Sequence, residues 1–267
     1  MGKGEAAISN KANGKAISLN PVKWYKNLAT MKGRQESRAF LIEGDRAIMQ
    51  VLDNYPDEIL EFITVEKPSA AYRNYPVRYV TEDQLRSISS TKTPQGIIAI
   101  VKLPQDTYSD NLPENTGDKI LLLEDIQDPG NVGALIRTAA AFAFSGIMLT
   151  EKCADPFSPK CVQSSAGTIL SLWLRRTPRY LESVIALKKA GYHLVAADIN
   201  GNEDPSVFNR LDKLLLALGN EASGLSKSLL KIADSRLRIP VVSEKAESLN
   251  VAACGAICMY LSSENVE

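Results

Sequence analysis

Asp128-Pro129-Gly130-Asn131-Val132-Gly133-Ala134-Leu135-Ile136-Arg137-Thr138 follows closely on the apolar run Ile120-Leu121-Leu122-Leu123-Glu124. A continuous apolar run bounded by turn residues reads as a strand covered on both faces, the mark of a parallel sheet. Asp128-Pro129-Gly130-Asn131 reads as a tight turn, with Pro129 fixing one φ and Gly130 permitting a positive one. Asn131 stands where it would cap the next helix, expected from about Val132 to Phe144. Arg137 lies among Ala134, Leu135, Ala139 and Ala140, so it is half buried unless it faces a partner. A planar guanidinium near helix N-terminal amides suits a phosphate, and a structural ion pair is the competing reading.

Two later stretches share this design. Leu218-Gly219-Asn220-Glu221-Ala222-Ser223-Gly224 ends the apolar run that begins at Leu214. Ile239-Pro240 ends another, and Ser248-Leu249-Asn250-Val251-Ala252 opens a last apolar helix to about Leu261. Each places backbone N–H groups and small polar side chains at a strand end, where α/β proteins bind ligands. Ser248 reads as the N-cap of the last helix. Further strands are expected at Gly146–Thr150, Leu170–Leu174 and His193–Ala197, with a helix running from Pro159 to about Gly167. Strands alternating with helices imply a mostly parallel sheet with helices on both faces.

The first part of the chain shows the same alternation on a smaller scale. Strands are expected at Phe40–Gly44, Glu61–Val65, Val77–Val80 and Gly96–Val101. Thr81 reads as the N-cap of a helix that starts with Glu82-Asp83. The boundaries that follow are a flexible basic tail over residues 1–19, an α/β unit over 20–102, a polar linker over 103–117 and the larger α/β unit over 118–267.

Net charge is zero, yet residues 1–40 hold eight Lys or Arg against two Glu. That is a footprint of polyanion contact. Lys23, Lys26, Lys32, Arg34 and Arg38 are the candidates, and Trp24 and Tyr25 interleaved with them suit base stacking. From Val22 to Lys32 the spacing predicts one short basic helix.

Several classes are disfavoured. Gly219 to Gly224 has P-loop glycine spacing, but Leu225-Ser226 stands where Lys and Ser/Thr are required. No G-x-G-x-x-G follows a strand, which argues against a dinucleotide site. Four cysteines without a C-x-x-C pair and a single His193 give no basis for a metal site, and Cys254 and Cys258 read as small packing hydrophobes. No run is long enough for a membrane helix and the N-terminus lacks an apolar signal core, so a cytoplasmic protein is expected.

The spacing D-P-x-N-x-G-x-x-x-R-T-A, followed by the other two stretches in order, resembles the three signature motifs of the SpoU/TrmH family of RNA ribose 2′-O-methyltransferases, within the SPOUT superfamily. The resemblance spans about residues 22–263 and includes Asp155-Pro156-Phe157-Ser158-Pro159-Lys160, Ser164-Ser165-Ala166-Gly167 and Thr93-Pro94-Gln95-Gly96. It implies S-adenosylmethionine as cofactor, a trefoil knot in the C-terminal domain, a homodimer through that domain, and a preceding RNA-binding domain like certain ribosomal proteins. It implies catalytic roles for Asn131, Arg137, Glu221, Ser248 and Asn250. Cofactor contacts are implied at Leu218, Gly219, Asn220, Ile239 and Pro240, and at Ser248, Leu249 and Asn250. Asn220 departs from the Ala common at its position. The separate N-terminal domain favours ribosomal over transfer RNA as substrate. A catalytically silent RNA-binding or assembly factor is the alternative, and the five intact polar residues argue against it.

Overall fold

The computed structural model describes residues 11–12, 15–16, 20–67, 69–242 and 248–263. Most of the predicted basic tail therefore lies outside the described residues, apart from a short antiparallel pair, β1 (Lys11–Ala12) with β2 (Lys15–Ala16). The chain forms two compact units. One runs to Pro104 and includes Phe157–Gln163, and the other comprises Gln105–Pro156 and the residues after Gln163.

In the first unit, β3 (Ala39–Glu43), β4 (Ile59–Thr64), β5 (Val77–Tyr79) and β6 (Ile97–Lys102) make a sheet in the order β3-β6-β4-β5. The central β6 is antiparallel to both neighbours, and β5 runs parallel to β4. Helix α3 (Asp45–Asn54) follows β3. Helix α4 (Glu82–Ile88) starts where the sequence placed it, with Thr81 and Gln84 closing a capping box.

The predicted single basic helix is two. Helix α1 covers Val22–Asn27 and α2 covers Met31–Ser37, because the Thr30 hydroxyl accepts from Gly33 N and restarts the helix. This break redirects two of the residues read as RNA-facing. Arg34 is 2% exposed, and its guanidinium donates to the carbonyl of Leu28, the residue that ends α1, at 2.8 Å. It satisfies an orphan helix-end carbonyl inside the unit and is not presented to a ligand, which corrects the expectation. Tyr25 is likewise core. Its hydroxyl donates to Glu61 Oε1 at 2.9 Å, and Trp24 stands edge-on to its ring. Lys23, Lys26, Lys32 and Arg38 are exposed.

The second unit is built on six parallel strands in the order β12-β10-β11-β7-β8-β9. They are β7 (Lys119–Leu123), β8 (Gly146–Thr150), β9 (Trp173–Thr177), β10 (His193–Ala197), β11 (Leu214–Leu218) and β12 (Ser235–Leu237). The apolar runs are explained by burial on both faces. Ile120 and Leu122 pack with Val184 and Leu187 of α7 (Tyr180–Lys189) and with Leu229 of α8 (Lys227–Ile232). The opposite face is covered by α5 (Pro129–Ala141) and α9 (Val251–Leu261), which lie against each other. A β-carbon on Gly255 of α9 would stand 2.4 Å from Leu135 of α5 and 2.7 Å from Leu218 of β11, so glycine is what permits this approach.

Helix α6 spans Pro159–Ser165, and residues Thr168–Leu170 form a short 3₁₀ turn that precedes β9. The strand expected at Leu170–Leu174 is thus displaced towards the C-terminus. The stretch predicted as a linker has fixed partners on β9, the edge strand. Thr107 is fully buried and its carbonyl accepts from Arg176 N at 2.7 Å, Asp110 accepts from the Thr177 hydroxyl at 2.5 Å, and Trp173 Nε1 donates to Thr116 O at 3.2 Å. Covering an edge strand satisfies groups that would otherwise stay unpaired. Among the described residues, no helix is long and apolar enough to cross a membrane.

Candidate active site

The connection leaving β7 passes through α5 to β8, on one side, whereas that leaving β11 passes through α8 to β12, on the other. Neighbouring strands whose connections diverge leave a crevice at their carboxyl ends, where open α/β sheets bind ligands. The first two signature stretches follow β7 and β11 and therefore meet here.

The supposed tight turn after β7 is the first turn of α5. Asp128 is its N-cap, accepting from Asn131 N at 2.8 Å, and Pro129 takes the first helical position, where its missing N–H costs nothing. Asn131 is thereby freed from the capping role and its side chain spans the crevice. Its Nδ2 donates to Glu221 Oε1 at 2.8 Å, and its Oδ1 accepts from Asn250 Nδ2 at 3.2 Å. Asn250, not Ser248, caps α9, its Oδ1 accepting from Ala252 N and Ala253 N. One residue from each signature stretch thus enters a single hydrogen-bonded chain. Arg137, two turns into α5, is exposed and has no hydrogen bond or ion pair among the described residues.

The loop after β11 is rigid for reasons the sequence concealed. Asn220 Nδ2 donates to Asp125 O at 2.9 Å, while its Oδ1 accepts from Ala222 N, Ser223 N and Ser223 Oγ. Its backbone pairs with Gly224 in both directions. Asn220 therefore faces its own loop, and Leu218, 1% exposed, belongs to the core.

A cavity of about 120 Å³ opens beside this crevice, at the ends of β10 and β12. Ile239, Ser248 and Leu249 line it, as do Ala197, Asp198, Ile199, Leu237, Val241 and Cys254. The Asp198 carboxylate is held by Arg236 Nε at 2.8 Å and accepts from Asn200 N at 3.0 Å. Ile199 and Leu249 leave apolar surface uncovered at the rim. An apolar slot with few polar groups and exposed strand-end backbone suits an adenine. Sequence reading missed the β10 end, because the neighbour of β12 is set by strand order. Cys254, expected as packing only, faces the cavity, while Cys258 is fully buried.

The sheet, its crevice and an apolar slot beside a polar chain of side chains define a ligand-binding protein of the parallel α/β class. The sequence model of the SpoU rRNA Methylase family matches residues 118–260, and that of the MRM3-like substrate binding domain matches residues 20–99. The chain is 30% identical over 244 residues to the 23S rRNA (guanosine(2553)-2′-O)-methyltransferase RlmP of Bacillus subtilis, covering 90% of this chain and 94% of that protein. It is 28% identical to a 23S rRNA (uridine(2479)-2′-O)-methyltransferase of Streptomyces viridochromogenes over 89% of this chain and 86% of the relative. Among solved structures, the SpoU methyltransferase AviRb of Streptomyces viridochromogenes, in complex with AdoMet, superposes with a TM-score of 0.78 at 26% identity, covering 91% of this chain and 96% of that one.

The chain belongs to the SpoU rRNA methylase family. It is an S-adenosylmethionine-dependent RNA ribose 2′-O-methyltransferase with an N-terminal substrate-binding domain.

Proposed function

We propose that this enzyme methylates one ribose of large-subunit ribosomal RNA, with the crevice between β7 and β11 as its reaction site. The observation that carries the site is the chain Glu221–Asn131–Asn250, which draws all three signature stretches together at 2.8 and 3.2 Å. The RNA class follows the relatives, which act on 23S rRNA by name.

Ile239, Ser248 and Leu249 would hold S-adenosylmethionine at the cavity, with Leu218, Gly219, Asn220, Pro240 and Asn250 shaping its approach to the crevice. When bound, that cofactor supplies a methyl carbon made electrophilic by sulfonium. The chain's own residues then have three tasks. Arg137 grips the phosphate beside the reacting ribose and offsets negative charge growing on the 2′-oxygen. A guanidinium carries hydrogen-bond donors and no acceptor, so the proton of the 2′-hydroxyl leaves to another acceptor. Asn131, locked by Glu221 and Asn250, presents a fixed amide towards the ribose. Ser248 stands between cavity and crevice and orients the substrate edge.

In this reading residues 20–102 bind the substrate RNA, residues 103–117 join the domains, residues 118–267 carry out transfer, and residues 1–19 add charge. Lys23, Lys26, Lys32 and Arg38 bind phosphates. The C-terminal segment forms a trefoil knot, a reading supported by its route from the edge strand β12 back to α5 at the sheet's centre. A homodimer forms over α9, where Ala253, Ile257 and Tyr260 make an exposed apolar stripe at helical spacing. The enzyme works in the cytoplasm.

The test uses labelled methyl donor and ribosomal RNA, followed by alkaline hydrolysis, which a methylated 2′-oxygen blocks. A single alkali-resistant linkage in large-subunit RNA is expected. Label on a base, or in transfer RNA alone, would refute the reading.

A further inference from the structure

We propose that Glu124, with Tyr180 as its partner, is a positioning residue that sets the placement of Glu221 in the reaction crevice. The inference rests on the role assigned above to Glu221 and asks what keeps that carboxylate in place. Glu221 sits exposed on the loop from Gly219 to Ser226, where its carboxylate bonds Asn131 Nδ2 across the crevice at 2.8 Å. Its position depends on how the two ends of the loop are fixed.

The front end is anchored at Asp125. That residue takes a left-handed conformation, φ 58°, uncommon for a side chain other than glycine. The conformation is held by Thr150, whose hydroxyl accepts from Asp125 N at 2.8 Å and donates to Asp125 Oδ1 at 2.7 Å. The Asp125 carbonyl is thereby turned to Asn220 Nδ2, at 2.9 Å.

The rear end is anchored at Glu124. This carboxylate is 3% exposed at the end of the central strand β7, among apolar residues. Burying a carboxylate is costly unless its lone pairs are met. Here Oε2 accepts from Ser226 N at 2.6 Å and Oε1 accepts from the Tyr180 hydroxyl at 2.5 Å. Ser226 ends the loop and caps α8. Burial and the bond to Glu124 raise the Tyr180 pKa to about 12, so the phenol stays a donor at working pH. Charge-assisted bonds of this length are the strong kind, and they tie β7, α7 and the start of α8 together at one point. Between the anchors the loop is tight: a β-carbon on Gly219 would lie 2.3 Å from the Gly224 carbonyl carbon. With both ends held and no slack, a shift at Ser226 is passed to Glu221. Glu221 in turn holds Asn131, so the effect reaches the crevice while Glu124 itself touches no substrate.

The experiment is a double-mutant cycle on the full-length enzyme. Single-turnover methyl transfer is measured for wild type, for Tyr180→Phe, Glu124→Gln and Glu221→Gln alone, and for Tyr180→Phe and Glu124→Gln each combined with Glu221→Gln. Donor binding is followed by calorimetry and folding by thermal unfolding. Tyr180→Phe removes one bond and keeps the ring, so it remains informative where Glu124→Gln fails to fold. We expect a drop in transfer rate of about tenfold for Tyr180→Phe and more for Glu124→Gln, with donor affinity within about threefold. In the Glu221→Gln background each should cost less than about twofold, because residues acting through one another are not additive. Full additivity, or wild-type rate in Tyr180→Phe, overturns the inference. Wild-type rate in Glu221→Gln instead overturns the underlying role of Glu221.

Discussion

Gly255 offers the sharpest mechanical test, because two known effects of replacing it have opposite signs. Gly255 lies in the middle of α9, where alanine is favoured over glycine by about 0.8–1.0 kcal/mol. If nothing else mattered, Gly255→Ala would stabilise the protein. The new β-carbon, however, would stand 2.4 Å from Leu135 Cδ2 and 2.7 Å from Leu218 Cδ1. Ordinary carbon–carbon separations lie near 3.5–4.0 Å, so α9 or both leucines must yield by about 1 Å. Leu135 is fully buried and Leu218 1% exposed, and neither has open space to turn into. Overpacking of this kind costs about 1–3 kcal/mol. The net effect is destabilisation of about 1 kcal/mol for Ala, and more for Val, whose helix preference recovers less. In a unit of this size that lowers Tm by about 2–4 °C for each kcal/mol. The assay is urea unfolding followed by Trp173 fluorescence in a Trp24→Phe background, so that the second unit reports alone. A shift of about 1 Å also breaks the 3.2 Å bond from Asn250 to Asn131, so the transfer rate should fall about tenfold. Gly255→Ala with raised stability and full activity would refute the reasoning.

Other expectations follow from the same geometry. Asp128→Ala should cost about 1 kcal/mol through removal of a helix cap, and calorimetric unfolding checks it. Burial raises the Glu61 carboxyl pKa, with the Tyr25 hydrogen bond and the charge of Arg78 opposing the rise. Its contribution is therefore full below the ordinary carboxylate pKa and fades as pH rises through the folded value. Glu61→Gln should thus gain stability relative to wild type at pH 7 and not at pH 4, in paired urea titrations; a gain confined to pH 4 would contradict the sign. Lys23→Ala with Lys26→Ala should reduce the salt dependence of RNA affinity by about 0.7–0.9 in log–log slope for each phosphate the protein no longer neutralises. Arg34→Ala should instead unfold the first unit more easily, and an Arg34 variant with native stability but weakened RNA binding would reverse that assignment. Ile257→Glu should yield a monomer in light scattering, whereas an unchanged oligomer would remove α9 as the dimer face.

The apolar strands of the second unit were legible because burial on both faces leaves a mark that no exposed strand carries. His193–Ala197 and Leu214–Leu218 have the bounds read from the sequence. Strand order left no such mark, so the β10 side of the cavity, at Ala197 to Ile199, could not be found in advance. Capping was misassigned twice for one reason. Asp128 and Asn131, like Ser248 and Asn250, are pairs of cap-competent residues two or three positions apart, and which of them caps depends on where the chain arrives from. Arg34 and Tyr25 misled because a basic or aromatic side chain on a short helix has the same sequence signature whether it faces solvent or satisfies a buried partner.

The central claim is that Arg137, exposed on α5 in the same signature stretch as Asn131, grips the RNA at the moment of transfer. The measurement that tests it most directly is single-turnover methyl transfer by Arg137→Ala to ribosomal RNA, with donor affinity read in parallel by calorimetry. The account predicts transfer lowered by about a thousandfold or more while the donor binds nearly as before. Transfer at the wild-type rate would contradict it.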